Sequence, residues 1–101
     1  RVPTMRSHSE SITVEFERPL SPDEARVILE DAPGIKVVDN PAELQYQMPL
    51  DTSDQDLIYV GRIREDLSAD KDTHALTFFC CGDQIRKGAA TNAVQIVEYL
   101  L

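Results

Sequence analysis

The stretch Ser11-Ile12-Thr13-Val14-Glu15-Phe16-Glu17-Arg18-Pro19-Leu20-Ser21-Pro22-Asp23-Glu24 decides the fold class. Its first seven residues alternate, with Ile12, Val14 and Phe16 on one face, which is the period of a half-buried strand. Pro19 ends that strand. Ser21 then opens a helix: its hydroxyl can cap orphan amides, Pro22 suits the first helical position, and Glu24 completes a capping box. Ala25, Ile28, Leu29 and Ala32 form the apolar face, and Pro33-Gly34 stops the helix.

Working outward, Arg1 to Ser9 reads as irregular or extended, because Pro3 removes a donor and biases Val2 away from helix. Ile35-Lys36-Val37-Val38 is a short strand and Asp39-Asn40-Pro41 a turn. Ala42 to Leu50 is ambiguous. Asp51 to Asp56 and Glu65 to Asp72 are acidic connectors without calcium-loop spacing. Between them Leu57, Tyr59, Gly61 and Ile63 alternate with Ile58, Val60, Arg62 and Arg64, a strand with one face ending in two arginines. His74 to Cys81 is an apolar strand that reads as buried on both faces. Asp83 is the expected N-cap of a last helix. That helix is apolar nearly all round, through Ile85, Ala89, Ala93, Ile96 and Leu100 widened by Ala90, Val94, Val97 and Leu101. Such a helix is buried on more than one side, which the rest of a short chain can hardly achieve. The order of elements implies an α+β fold with a mainly antiparallel sheet and helices on one face.

Length and charge narrow the function classes. With 101 residues the chain suits one small domain, not a cofactor domain plus a substrate domain. Ten Lys and Arg against 18 Asp and Glu give a net charge of -8. That balance argues against nucleic acid and against an anionic membrane surface. No apolar run is long enough to span a bilayer. Two adjacent cysteines supply neither a disulfide framework nor a metal site. The cytoplasm is the expected location. A first residue that is not Met suggests a piece of something longer.

Several side chains could carry chemistry. His8 carries an imidazole of the kind that suits acid–base work, although a loop histidine without a role is the plainer reading. Arg1 could clamp a carboxylate through its two-pronged guanidinium. In a straight strand Arg1 and His8 would lie roughly 23 Å apart, so they share a substrate only if the segment bends, and Pro3 can cause that. Cys80 and Cys81 sit in an apolar strand and read as small hydrophobes. Arg86 and Lys87 begin the last helix, where the macrodipole disfavours cations unless an anion docks there. Gln84 beside them has donors and an acceptor that could hold an amide.

Taken in order, Arg1-Val2-Pro3, His8-Ser9-Glu10, Leu20-Ser21-Pro22-Asp23-Glu24-Ala25, Ala32-Pro33-Gly34, Tyr59-Val60-Gly61-Arg62-Ile63-Arg64 and Arg86-Lys87-Gly88-Ala89-Ala90-Thr91-Asn92-Ala93-Val94 resemble the C-terminal part of bacterial aspartate-β-semialdehyde dehydrogenases. The resemblance covers essentially the whole chain. It implies a fragment of the catalytic and dimerisation domain of a two-domain NADP dehydrogenase with a glyceraldehyde-3-phosphate dehydrogenase-like fold. Residues 1–82 would belong to that domain, and 83–101 would be the final helix that packs back on an NADP-binding domain. The implied reaction is reductive dephosphorylation of β-aspartyl phosphate to aspartate semialdehyde with NADPH. It feeds lysine, methionine, threonine and diaminopimelate synthesis.

By the same resemblance His8 is the acid–base histidine, Arg1 grips the substrate α-carboxylate, and Gln84 stands beside the nicotinamide where many relatives have Asn. The family's nucleophilic cysteine and Gly-rich NADP loop have no counterpart here, so the 101 residues alone are expected to be inactive. A homodimer or homotetramer is implied for the complete enzyme, with no metal. Two other readings stand beside this one: a non-catalytic dimerisation module or inactive paralogue, and an N-acetyl-γ-glutamyl-phosphate reductase, which the quoted motifs fit less well.

Overall fold

The capping chemistry of residues 21–24 forms as the sequence dictates. In the computed structural model, which describes residues 3–70 and 72–101, Ser21 Oγ accepts the Glu24 N–H at 3.3 Å. Glu24 Oε2 accepts the Ser21 N–H at 2.9 Å in return. Helix α1 runs Pro22–Glu30. The strand before it, β1, runs His8–Phe16 and so begins earlier than the apolar alternation marks. Backbone pairing holds its polar first residues, from His8 opposite Gly82 to Ser11 opposite Phe79, and needs no apolar side chains.

The remaining elements are β2 (Ile35–Val37), β3 (Asp39–Asn40), β4 (Gln45–Tyr46), α2 (Pro49–Thr52), β5 (Ile58–Glu65), β6 (His74–Gly82) and α3 (Thr91–Leu100). The ambiguous stretch is thus a 3-10 turn at Pro41–Glu43, then β4 and the start of α2. A π-helical turn, Arg86–Ala90, leads into α3. The main sheet has the order β1-β6-β5-β2. The β1–β6 and β5–β6 pairs are antiparallel and β2–β5 is parallel, so the expected α+β, mainly antiparallel architecture holds. β3 and β4 form a separate two-stranded ribbon.

One face of the sheet makes the core. Phe16, Val60, Ile63, Leu76, Phe78 and Cys80 pack there against Leu20, Ala25 and Leu29. β6 is a central strand, yet its burial is uneven: Ala75, Leu76 and Cys81 are buried while Phe78, Phe79 and Cys80 are half-buried. Gln47 lies on the opposite face, where its Nε2 donates to the Phe79 carbonyl.

The simple alternation read for Leu57 to Arg64 does not survive. Gly61 opposes Phe79 and Arg64 opposes Thr77, so Arg62 and Ile63 together face Phe78. This is a β-bulge, with Arg62 at φ 55°. The extra residue returns Ile63 to the core beside Val60. Arg62 and Arg64 therefore do not continue the face of Ile58 and Val60, and Arg62 instead stacks on Tyr46 at 5.5 Å.

Asp39 holds the bulge. Its Oδ1 accepts the Arg62 N–H at 2.7 Å and its Oδ2 the Ile63 N–H at 3.2 Å. Arg26 of α1 donates from Nε to Asp39 Oδ2 at 2.7 Å and from Nη2 to the Ile63 carbonyl at 2.8 Å. The Asp39 side chain is fully buried, and this pairing with hydrogen bonds is what makes its charge tolerable.

Just before the bulge, Gly61 lies beneath the chain at Val38. A Cβ there would run into the Val38 carbonyl and Gln47 Oε1. Gly61→Ala is expected to destabilise the fold by about 1–3 kcal/mol or more, the cost of overpacking against backbone, read as a lowered urea midpoint. An unchanged midpoint would mean that the Val38 crossing moves freely.

Candidate active site

The antiparallel pairing of β1 with β6 sets His8 opposite Gly82, so the chain leaves β6 beside that histidine. The turn that follows carries Gln84, and the π turn carries Lys87. Between them opens a pocket of about 220 Å³ lined by His8, Glu10, Cys80, Gln84, Lys87 and Asn92. His8 and Gln84 are thereby brought together from opposite ends of the chain. Arg1 lies outside the described residues.

The turn is built on Asp83. Asp83 caps this turn rather than the last helix itself, whose π-helical lead-in has Ile85 at its N-cap: Asp83 Oδ1 accepts the N–H of Ile85 at 2.8 Å and of Arg86 at 3.3 Å. Its second oxygen does more than capping requires. Asp83 Oδ2 accepts the Asp54 N–H at 2.7 Å and Arg6 Nη2 at 2.7 Å. The Asp83 side chain is completely buried. Hydrogen bonds from the Asp54 amide first, then from Ile85, Arg6 and Arg86, hold its carboxyl well below the ordinary carboxylate range despite that burial. Arg6 also pairs with Asp54 Oδ1 at 2.8 Å.

Next to Arg6, Ser7 is buried with φ 69°, in the left-handed region. Its N–H donates to Gln84 Oε1 at 2.6 Å. Its Oγ lies 2.9 Å from Thr52 Oγ1 and 3.3 Å from Ser53 Oγ. Sequence reasoning did not find Arg6, Ser7 or Thr52. Each bonds across 45 residues or more, and such pairs leave no periodic trace.

The other candidates sort clearly. Cys80 and Cys81 are free thiols within β6. Burial pushes both upward, so neither is a ready thiolate. Arg86 Nη1 pairs with Asp56 Oδ1 at 2.9 Å, which answers why a cation stands at a helix beginning. Lys87 Nζ bonds Gln95 Oε1. Among the described residues no cluster of His, Cys, Asp or Glu is placed to hold a metal. Nor is any helix long and apolar enough to cross a membrane.

This geometry can be set beside known proteins. The family pattern described as semialdehyde dehydrogenase, dimerisation domain, matches residues 1–87. The chain belongs to that family. It is 54% identical to the aspartate-semialdehyde dehydrogenase of Prochlorococcus marinus, over 100% of this chain and 29% of that protein. The enzyme of the same name from Aquifex aeolicus is 48% identical with the same coverage. Among solved structures, aspartate semialdehyde dehydrogenase II of Vibrio cholerae complexed with ASA superposes with a TM-score of 0.85. It is 34% identical, over 99% of this chain and 28% of that one. The chain thus spans under a third of the length of these semialdehyde dehydrogenases.

A carboxyl held low in the folded state binds its proton more readily once unfolded, so its stabilisation is present above the ordinary carboxylate pKa of about 3.9 and fades as pH falls below it. Asp83→Asn is expected to lower the urea midpoint at pH 7, because one of its oxygens becomes a donor facing donors. The gap to the unsubstituted protein should narrow between about pH 4 and pH 2. A gap that stays constant across that range would remove Asp83 as the source of the acid sensitivity.

Proposed function

We propose that this chain is the C-terminal catalytic and dimerisation segment of an NADP-dependent aspartate-semialdehyde dehydrogenase, acting on β-aspartyl phosphate, aspartate semialdehyde and phosphate. The observation that carries this reading is the convergence of His8 and Gln84 on one pocket. His8 stands at the pocket mouth with an exposed side chain and can pass protons to and from the substrate carbonyl oxygen. Arg1 takes the substrate α-carboxylate, its fork matching both oxygens. The nucleophile comes from elsewhere in the complete enzyme, since Cys80 and Cys81 are packed in β6 and pushed toward the neutral thiol.

The residues present suit one end of a nicotinamide cofactor. Gln84 Oε1 is occupied by the Ser7 N–H, while no bond to its Nε2 is formed among the described residues. That amide can therefore donate to the carboxamide oxygen of the nicotinamide. NADPH supplies the hydride when bound. Residues 1–82 form the catalytic and dimerisation portion, and 83–101 dock on the NADP-binding domain. Exposed Val94, Val97 and Leu100 on α3 support that docking, because they leave apolar surface without a cover. Assembly as a homodimer or homotetramer in the cytoplasm belongs to the same reading.

In the complete enzyme, His8→Ala is expected to lower kcat by about 10²–10⁴-fold, the usual contribution of a positioned acid–base group. Arg1→Lys should raise KM for the acyl phosphate far more than it lowers kcat, since a point charge cannot replace a fork. Steady-state NADPH oxidation checks both. A His8→Ala enzyme of unchanged kcat overturns the assignment.

A further inference from the structure

His8 is the first residue of β1, and the first residue of a strand has neighbours in the ladder on one side only. Its downstream side is fixed by pairing, with Ser9 opposite Cys81 and Glu10 opposite Cys80. Its upstream side is Ser7, whose φ of 69° sets the direction in which the chain enters the strand. A non-glycine residue keeps a left-handed conformation only where its surroundings over-determine it.

Here they do. The Ser7 N–H is taken by Gln84 Oε1, and its Oγ touches two hydroxyls from residues 52 and 53. Arg6, immediately before it, is anchored to the buried Asp83 carboxylate and to Asp54. Every one of these partners lies outside the strand that Ser7 introduces. Two come from the turn that borders the pocket, so the grip on Ser7 and the far wall of the pocket are one piece of structure.

We propose that Ser7 is a positioning residue for His8: its left-handed backbone, clamped by Gln84, aims the imidazole into the pocket. The proposal rests on the acid–base reading of His8 and adds the device that directs it. Gln84 then has two jobs at its two ends. Oε1 fixes the histidine-bearing turn, and Nε2 is the donor assigned above to the nicotinamide. A glycine at position 7 would accept the φ but lose the hydroxyl contacts. A threonine would keep the hydroxyl, yet its β-branched side chain resists positive φ. The two substitutions thus separate the backbone conformation from the hydroxyl packing.

The test uses the complete dehydrogenase carrying Ser7→Gly, Ser7→Thr or His8→Ala, each assayed for kcat and KM. Ser7→Gly is expected to keep kcat within about 3-fold, and Ser7→Thr to lose about 10-fold or more with KM for the acyl phosphate changed by less than about 2-fold, the split expected when only reaction geometry is lost. If Ser7→Thr does not fold, Ser7→Ala replaces it, being smaller than serine, and must also fall below Ser7→Gly in kcat. The reverse order, with the hydroxyl-bearing variant the more active, overturns the proposal, as does a loss confined to KM. An inactive His8→Ala enzyme beside equally active position-7 variants would overturn the positioning role alone. A fully active His8→Ala enzyme would overturn the catalytic reading of His8, and the positioning role with it.

Discussion

A single buried carboxylate ties together the parts that surround the pocket. Asp83 accepts two amides of the turn it begins, one amide from residue 54 and the guanidinium of Arg6. An unpartnered carboxylate so deep in the protein would be strongly unfavourable. With four donors it becomes a junction that three distant segments share. Asparagine could not serve in its place, because only one of its two terminal atoms accepts. The strand start at His8, the loop at residue 54 and the entrance to α3 are therefore set by one group.

A second buried carboxylate plays a matching part at the other side of the sheet. Asp39 accepts the two bulge amides while Arg26 reaches it from α1. In both places the backbone departs from regular pairing and leaves amides that a sheet cannot satisfy. At the bulge the remote Asp39 satisfies them, while Asp83 satisfies two amides of its own turn and the remote amide of Asp54. Gly61 belongs to the same arrangement, since the chain that carries Asp39 crosses close above it. The sheet is thus framed by two charged junctions rather than by its apolar core alone.

The division of labour within the pocket follows from these junctions. Strand pairing presents His8, a gripped turn presents Gln84, and the Lys87 ammonium is held by Gln95. The thiols beside them are committed to packing. Under the proposed function, the chain would contribute placement of proton-transfer and hydrogen-bonding groups. Apolar side chains of α3, Val94, Val97 and Leu100 among them, face outward.

The sequence by itself determined the local elements and the family. The period of Ile12, Val14 and Phe16 and the Ser21–Glu24 capping box each depend on neighbours within a few residues, so they could be read directly, although α1 ends at Glu30, ahead of Pro33-Gly34. The ordered motifs around His8 and Arg86 pointed to the family, and the match over residues 1–87 agrees. Tertiary structure alone decided the bulge at Arg62 and Ile63, the left-handed turn at Ser7 and the use of Gln84 Oε1 for that turn. It also decided that Asp83, legible as a helix cap, would hold Arg6 as well. The reason is physical: a capping box closes over three residues, whereas the Arg6–Asp83 pair closes over 77, and only the folded sheet brings those ends together.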